Sequence, residues 1–334
     1  TPAEASRLHG FVRDLAAQGK AVVLITHKIA DVTACADRIA VMRRGRVTDE
    51  GPMAERSPAA IVGAMVGDAA IAEPSRPQAP VGSTPRLQIR KLTTVATHAG
   101  CPVTDVTLEV AGGEIVGVAG VIGNGQVALA EALAGLEPVV SGDATLDGAS
   151  LVSRAGDIPT PSDALAYIPE RPIDNAVVGD LDLAVNLDLW RLPRQPLFGA
   201  RPDRARRAFD LLARFDVRPP DPALPAAALS GGNLQKLVIA RELSGTPKAV
   251  VACYPTMGLD VIAAAAVRRT MLEQAARGAA VLWLSEDLDD LLMLAHRIAV
   301  LHGGRLVGVV PRATATRDGI GRMMAGIGDR SDAA

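Results

Sequence analysis

Residues 229–236, LSGGNLQK, are the stretch on which the fold turns. A serine followed by two glycines at the start of a helix offers a hydroxyl and unobstructed backbone N–H groups. The positive end of the helix dipole lies behind them. The stretch looks like a nucleotide-handling signature. A second glycine-rich stretch, GVIGNGQV (120–127), follows the β-rich run EIVGVAG (114–120) and opens the helical VALAEALAGL. Gly120, Gly123 and Gly125 let the backbone turn tightly and aim its N–H groups inward as an anion nest, with Asn124 between the last two. Taken alone, this loop fits an ordinary strand-to-helix turn equally well.

The rest of the composition narrows the class. The 334 residues correspond to about two domains, and 49% of them are apolar. A net charge of −2 argues against holding nucleic acid by bulk electrostatics, and 2% aromatic residues are too few for a base-stacking platform. Cys35, Cys101 and Cys253 lie far apart and form no CxxC pair, which points to buried small residues in a reducing compartment rather than a disulfide or zinc framework. No apolar run approaches the ~18 residues that span a bilayer, and no signal peptide is visible. The expectation is a protein that is soluble or docks on a membrane through a partner.

Internal repetition organises the chain. ITHKIADVTACADRIAVMRRGR (25–46) and LSEDLDDLLMLAHRIAVLHGGR (284–305) align without a gap at an offset of 259 residues, each after a β-rich run, AVVLI or AVLWL. Between them EPSRPQAPVGSTPR (73–86) carries four prolines and reads as a linker. The expected layout is a C-terminal piece of a first domain (1–72), the linker (73–85), one whole domain (86–326) with a helical insertion at about 175–245, and a tail (327–334). By the offset Thr1 matches Asp260, so roughly 170 residues of the first domain are expected upstream. Strands alternating with helices predict an α/β fold with a mostly parallel sheet covered on both faces.

With these motifs in place, the chain resembles an ATP-binding-cassette (ABC) ATPase of the P-loop NTPase class. It is similar to the tandem-cassette ATP-binding subunits of simple-sugar and nucleoside importers, GNGQ and ITHK leaning to the nucleoside branch. The resemblance covers nearly the whole chain. It implies two cassettes packed head to tail, each ATP site taking its Walker motifs and switch histidine from one cassette and its signature from the other. Carried onto this sequence, the second cassette's own site is degenerate. Gln126 stands where the Walker A lysine belongs and Val127 where a hydroxyl would hold Mg²⁺. Cys253 and Tyr254 replace the Walker B carboxylates, Glu286 the switch histidine and Glu170 the Q-loop glutamine. Each change removes positioning or charge neutralisation that phosphoryl transfer needs. This site is therefore expected not to hydrolyse ATP, and to hold nucleotide weakly through its glycines or not at all.

What survives serves another site. The resemblance makes His27 the switch histidine of the first cassette, although the residue by itself fits a core or surface histidine. It makes Ser230, Gly231 and Gly232, with Asn233 and Gln235, the signature that caps the γ-phosphate of ATP across the interface, and Asp260 the D-loop aspartate. The intact protein is thus expected to use ATP and Mg²⁺ at one competent site. Its expected partners are membrane permease subunits and, indirectly, a substrate-binding protein, at the cytoplasmic face of the membrane and without nucleic acid. By itself the chain is expected to be inactive or nearly so. No metal ligands are assigned to it. His9, His98, His296 and His302 have no clustered partners and read as structural or solvent-facing, and no aromatic residue near His98 offers a stacking face for adenine. In RPDRARRAFDLLARF (201–215), Phe209, Leu212 and Phe215 share a helical face and the arginines an opposite, solvated one. The competing functions are a non-transport cassette acting on ribosomes or DNA, which the short linker and neutral charge disfavour, and a catalytically silent regulatory protein.

Overall fold

A computed structural model describes residues 2–26, 28–43, 45–66, 81–95, 100–154, 162, 164–189 and 202–327. His27, His98 and most of the linker lie outside them. The chain divides into two compact units, residues 1–74 with 259–266, and residues 75–258 with 267–334.

The first unit runs α1 (Pro2–Ala17), α2 (Ile29–Cys35), β1 (Arg38–Arg43), β2 (Arg46–Pro52) and α3 (Pro58–Val66). The strands pair as an antiparallel hairpin with a bulge at Val41/Met42. Asp31 ties the helices together, accepting from the Thr26 hydroxyl at 3.1 Å and meeting His9 Nε2 at 3.1 Å. Among the described residues 2–66, Val41 and Ile61 are the buried apolar side chains, far fewer than a self-sufficient core contains. The β-rich run AVVLI forms no strand, which corrects the expectation for it. Val23 and Ile25 are 87% and 93% exposed.

The second unit comprises β3 (Pro85–Thr94), β4 (Val106–Ala111), β5 (Ile115–Ala119), α4 (Gln126–Leu133), β6 (Val139–Leu146), β7 (Ala149–Ser150), β8 (Leu165–Ile168), α5 (Pro172–Asn175), α6 (Leu183–Asp188), α7 (Pro202–Arg214), α8 (Gly231–Glu242), β9 (Ala249–Cys253), α9 (Val261–Ala276, of which 267–276 belong to this unit), β10 (Ala280–Ser285), α10 (Leu288–Leu294), β11 (Arg297–His302), β12 (Arg305–Pro311) and α11 (Arg317–Met324). Six strands form the main sheet in the order β12-β11-β5-β10-β9-β8, parallel except for β12. The central strands IVGVA, AVVAC and AVLWLS are buried at every position. Helices cover both faces of such a sheet, so its strands are continuous apolar runs rather than alternating ones. A second, antiparallel sheet, β4-β3-β6-β7, was not foreseen. In β4, VTLEVA buries alternate residues, as a strand with one covered face does.

The aligned repeat takes the same form twice. The bounds of α10, β11 and β12 equal those of α2, β1 and β2 displaced by 259 residues, and the second hairpin has its bulge at Val300/Leu301. The two copies differ in the strand before them. β10 is hydrogen-bonded to β5 on one edge and β9 on the other, whereas residues 21–26 have no neighbouring strand among the described residues. An apolar run becomes a central strand when both edges find partners, because unpaired backbone groups are costly to bury.

The helical insertion has its own core, in which Leu183, Leu187, Leu212, Leu229, Leu234 and Leu237 meet. On α7 the inward face is Ala208, Leu211, Leu212 and Phe215, while Phe209 is 51% exposed, contrary to the expected grouping. Nor are all the α7 arginines free in solvent. Arg204 and Arg207 converge on the Asp188 carboxylate, whose side chain is 3% exposed.

Candidate functional site

Residues expected to handle phosphate fall at two places in the second unit. The first is the carboxyl edge of the parallel sheet, the usual ligand-binding edge of an open α/β sheet. The loop 120–125 leaves β5 there and enters α4 at Gly125, an N-cap in the left-handed region (φ 102°) where glycine carries no Cβ penalty. Glu170 follows β8, Cys253 and Tyr254 end β9, and Glu286 follows β10.

The loop is filled by its own side chains. Gln126 is 1% exposed, and its Nε2 donates to the carbonyl of Val121 at 3.1 Å. It lies flat over Gly120, where a Cβ would stand 2.1 Å from that nitrogen. Its Oε1 is buried without a hydrogen-bond partner. Asn124 donates to the same carbonyl at 2.9 Å and accepts from the backbone of Gly303 at 2.7 Å, fastening the loop to the β11–β12 turn. Val127 is half-buried against the main core. Gln126 thus turns its amide inward and Val127 packs on the core, in keeping with a loop that offers its glycine backbone rather than its side chains. The lone amide oxygen left at the Lys position is an acceptor and cannot bond a phosphate oxygen.

The surroundings are acidic. Burial raises the Glu170 carboxyl above its ordinary value; Arg171 opposes this and Glu286 adds to it. Glu131 on α4 is also raised, by burial and then by Glu137, while a hydrogen bond from Asn175 at 3.1 Å and the charge of Glu170 act against and with these causes respectively. Cys253, fully buried, is held as a thiol by burial and by Glu170 and Glu131. Burial likewise keeps the Tyr254 and Tyr167 hydroxyls protonated, and the Tyr254 oxygen lacks a partner among the described residues. Among the described residues no group of three His, Cys, Asp or Glu is placed to hold a metal ion. A buried acceptor oxygen in the loop and carboxylates at this edge of the sheet do not fit the triphosphate of MgATP. Glu131 lies within α4 and outside every motif in the sequence, so no local pattern marks it.

The raised carboxyl predicts a pH dependence. In the folded chain Glu170 keeps its proton to a higher pH than in the unfolded chain. Its contribution is therefore fully present below the unfolded value of 4.5 and is lost as pH rises through the folded value. Glu170→Gln is expected to raise the thermal midpoint at pH 8 and to change it little at pH 4. Equal gains at both pH values in a melting series would refute this.

The second place is the start of α8, which is open. Ser230 is its N-cap (φ −66°, ψ 157°) but makes no capping bond, and a Cβ added at Gly231 would meet nothing within 4 Å. Asn233 Nδ2 donates to Ser230 Oγ at 3.0 Å, and the backbone N–H of Arg218 donates to Asn233 Oδ1 at 2.9 Å. Gln235 does not belong with them. It is 4% exposed, with its Nε2 buried and without a hydrogen-bond partner among the described residues. Asp260 is occupied locally, its carboxylate accepting from the backbone of Ala263 at 2.8 Å as a cap on α9. The described histidines are structural: His296 Nδ1 accepts from the backbone of Ile115 at 3.0 Å, and His302 Nδ1 lies 2.9 Å from the Met324 carbonyl.

A parallel sheet with a glycine loop at its carboxyl edge and a helical insertion opening on a Ser-Gly-Gly turn defines the class of P-loop nucleotide-binding domains. Residues 103–256 match the family described as ABC transporter. The chain is 33% identical over 335 residues to the nucleoside import ATP-binding protein NupA of Lactococcus lactis subsp. cremoris, covering 98% of this chain and 65% of that protein. It is 35% identical over 336 residues to the glucose import ATP-binding protein TsgD13 of Haloferax volcanii, covering 98% and 60%. A solved structure described as the ATP binding subunit of an ABC transporter superposes with a TM-score of 0.56 at 27% identity, over 75% of this chain and 96% of that one. The second unit has the P-loop NTPase fold of ABC ATPases. The chain spans 60–65% of the length of these two curated relatives. Among its described residues no helix is long and apolar enough to cross a membrane.

Proposed function

We propose that this chain is part of the energy-coupling ATPase of an importer for nucleosides or simple sugars, the cargoes that the printed names of its relatives carry. The second unit contributes the signature Ser230-Gly231-Gly232 to an ATP site whose lysine-bearing loop and carboxylate pair are absent from these 334 residues. His27, outside the described residues, belongs to that same site as its switch histidine. MgATP binds there, and membrane permease subunits at the cytoplasmic face take up the resulting motion, fed by a substrate-binding protein. The second unit's own loop stays without hydrolysis.

The observation that carries this reading is the contrast within one unit. The turn at Ser230 is open at the positive end of a helix dipole, while the loop at Gln126 is filled by its own buried side chain, and the Glu170 carboxyl beyond β8 is raised by burial and by Glu286. Phosphate is favoured at the first and opposed at the second.

Equilibrium titration of the intact protein with MgATP tests it. One nucleotide bound per chain, turned over at a rate that collapses in His27→Ala, is the expected result. Two equivalent nucleotides per chain would exclude the self-filled loop. The isolated 334-residue chain is expected to show no turnover, and turnover sensitive to His27→Ala in that chain would overturn the division of labour.

A further inference from the structure

We propose that Asn233 is a positioning residue that fixes the direction in which the Ser230 hydroxyl donates, presenting its hydrogen to the γ-phosphate of a nucleotide held by another cassette. This rests on the reading of Ser230 as a phosphate cap, and adds to it a residue that acts through the serine.

The argument follows the hydrogens. A backbone N–H can only donate, so the Asn233 side-chain atom 2.9 Å from Arg218 N is the oxygen, and the amide cannot flip without losing that bond. The NH₂ group then faces Ser230 Oγ at 3.0 Å and must be the donor. A hydroxyl that accepts from that side keeps its own hydrogen pointing elsewhere, and Ser230 is exposed to solvent there. The serine also stands at an N-cap without capping, so its oxygen covers none of the first N–H groups of α8. Hydroxyl and backbone donors are left open together.

The lock is itself held. Asp216, in the left-handed region at φ 52°, accepts from Arg218 Nε at 2.6 Å and from Lys236 Nζ at 3.0 Å, and Lys236 also donates to the Asp216 carbonyl at 2.9 Å. Lys236 lies one helical turn beyond Asn233 on α8, so the 216–218 loop is strapped to the helix at two points. A free serine would sample several rotamers and hydroxyl directions. Ordering it in advance removes that entropy cost when phosphate arrives.

The test measures the affinities of the intact protein for ATP and ADP with Mg²⁺ in Ser230→Ala, Asn233→Ala, the double variant and Asn233→Asp. ADP lacks the γ-phosphate and serves as the control for folding. Ser230→Ala is expected to weaken ATP by about tenfold, the worth of one hydrogen bond to a charged group, with ADP unchanged. Asn233→Ala should weaken ATP severalfold, and the double variant should be no worse than Ser230→Ala. Asn233→Asp, which accepts from both Arg218 and Ser230 and so reverses the hydroxyl, should lose more than Asn233→Ala. Unchanged ATP affinity in Asn233→Ala beside a loss in Ser230→Ala overturns the proposal, as do losses that multiply in the double variant or that strike ADP equally. If Ser230→Ala alters neither affinity, the reading of the signature as a phosphate cap falls, and the positioning role with it.

Discussion

Gly231→Asp in the intact protein is expected to abolish ATP turnover while leaving the fold unharmed, and Gln126→Ala to leave turnover within about twofold of its starting value. The first half follows from the open turn at the start of α8. Apart from the adjoining residues and the helix's own backbone, no described atom lies within 4 Å of a Cβ at Gly231, so the side chain has room. A carboxylate in the first helical turn is moreover favourable to the helix by about 0.3–1 kcal/mol. It stands, however, where the phosphate is proposed to bind. Two like unit charges about 4 Å apart at an effective dielectric of ~20 repel by about 4 kcal/mol, roughly a thousandfold in affinity. The second half follows from the buried loop. Gln126 spends its donor on the Val121 carbonyl and is 1% exposed, so removing it opens a small void without touching nucleotide. Steady-state turnover with melting curves for both variants is the measurement. Full turnover in Gly231→Asp, or collapse in Gln126→Ala with an intact melt, would reverse the assignment of the two sites.

Glu242→Ala is expected to cost about 3–5 kcal/mol of unfolding free energy, as removal of one partner from a buried ion pair does. The side chains of Arg241 and Glu242 are 6% and 3% exposed and meet at 2.8 Å. Glu242 also accepts from the backbone of Tyr167 in β8 at 3.3 Å, and Arg241 donates to the carbonyl of Ala176 just beyond α5. The pair therefore joins the end of the signature helix to the edge of the main sheet and to the start of the helical insertion. Taking away the carboxylate leaves a guanidinium in a poorly solvated place and weakens the tie at Tyr167 in the same step. Replacing both residues together by apolar ones of similar volume is expected to cost much less, because no charge is then stranded. Urea denaturation of the single and double variants separates these outcomes; equal losses in both would mean that packing, not the stranded charge, sets the cost.

The chemical capacity of this protein was legible in its residues. Ser230-Gly231-Gly232, the glycines of the 120–125 loop, and the uncharged side chains of Gln126, Val127, Cys253 and Tyr254 are properties of local sequence. A lysine that is absent cannot be restored by folding. The parallel sheet was legible for the same reason, since AVVAC and AVLWLS are apolar at nearly every position. The repeat at 25–46 and 284–305 likewise reappears as matching helix and hairpin bounds.

Direction and pairing were decided by the tertiary structure. Whether Gln126 reaches out to a ligand or folds over Gly120 depends on the Val121 carbonyl and on the absence of a Cβ beneath it. Gln235 is buried and Asn233 exposed enough to meet Ser230 because the helical core claims one side of α8. Phe209 turns outward because Leu211 and Leu212 take the inward face. AVVLI and AVLWLS are near equals in composition, yet one forms a central strand and the other none, since a strand's hydrogen bonds belong to its neighbours as much as to itself. Residue identity fixes which interactions a chain can offer, and contacts between residues distant in sequence select which of those offers are taken up.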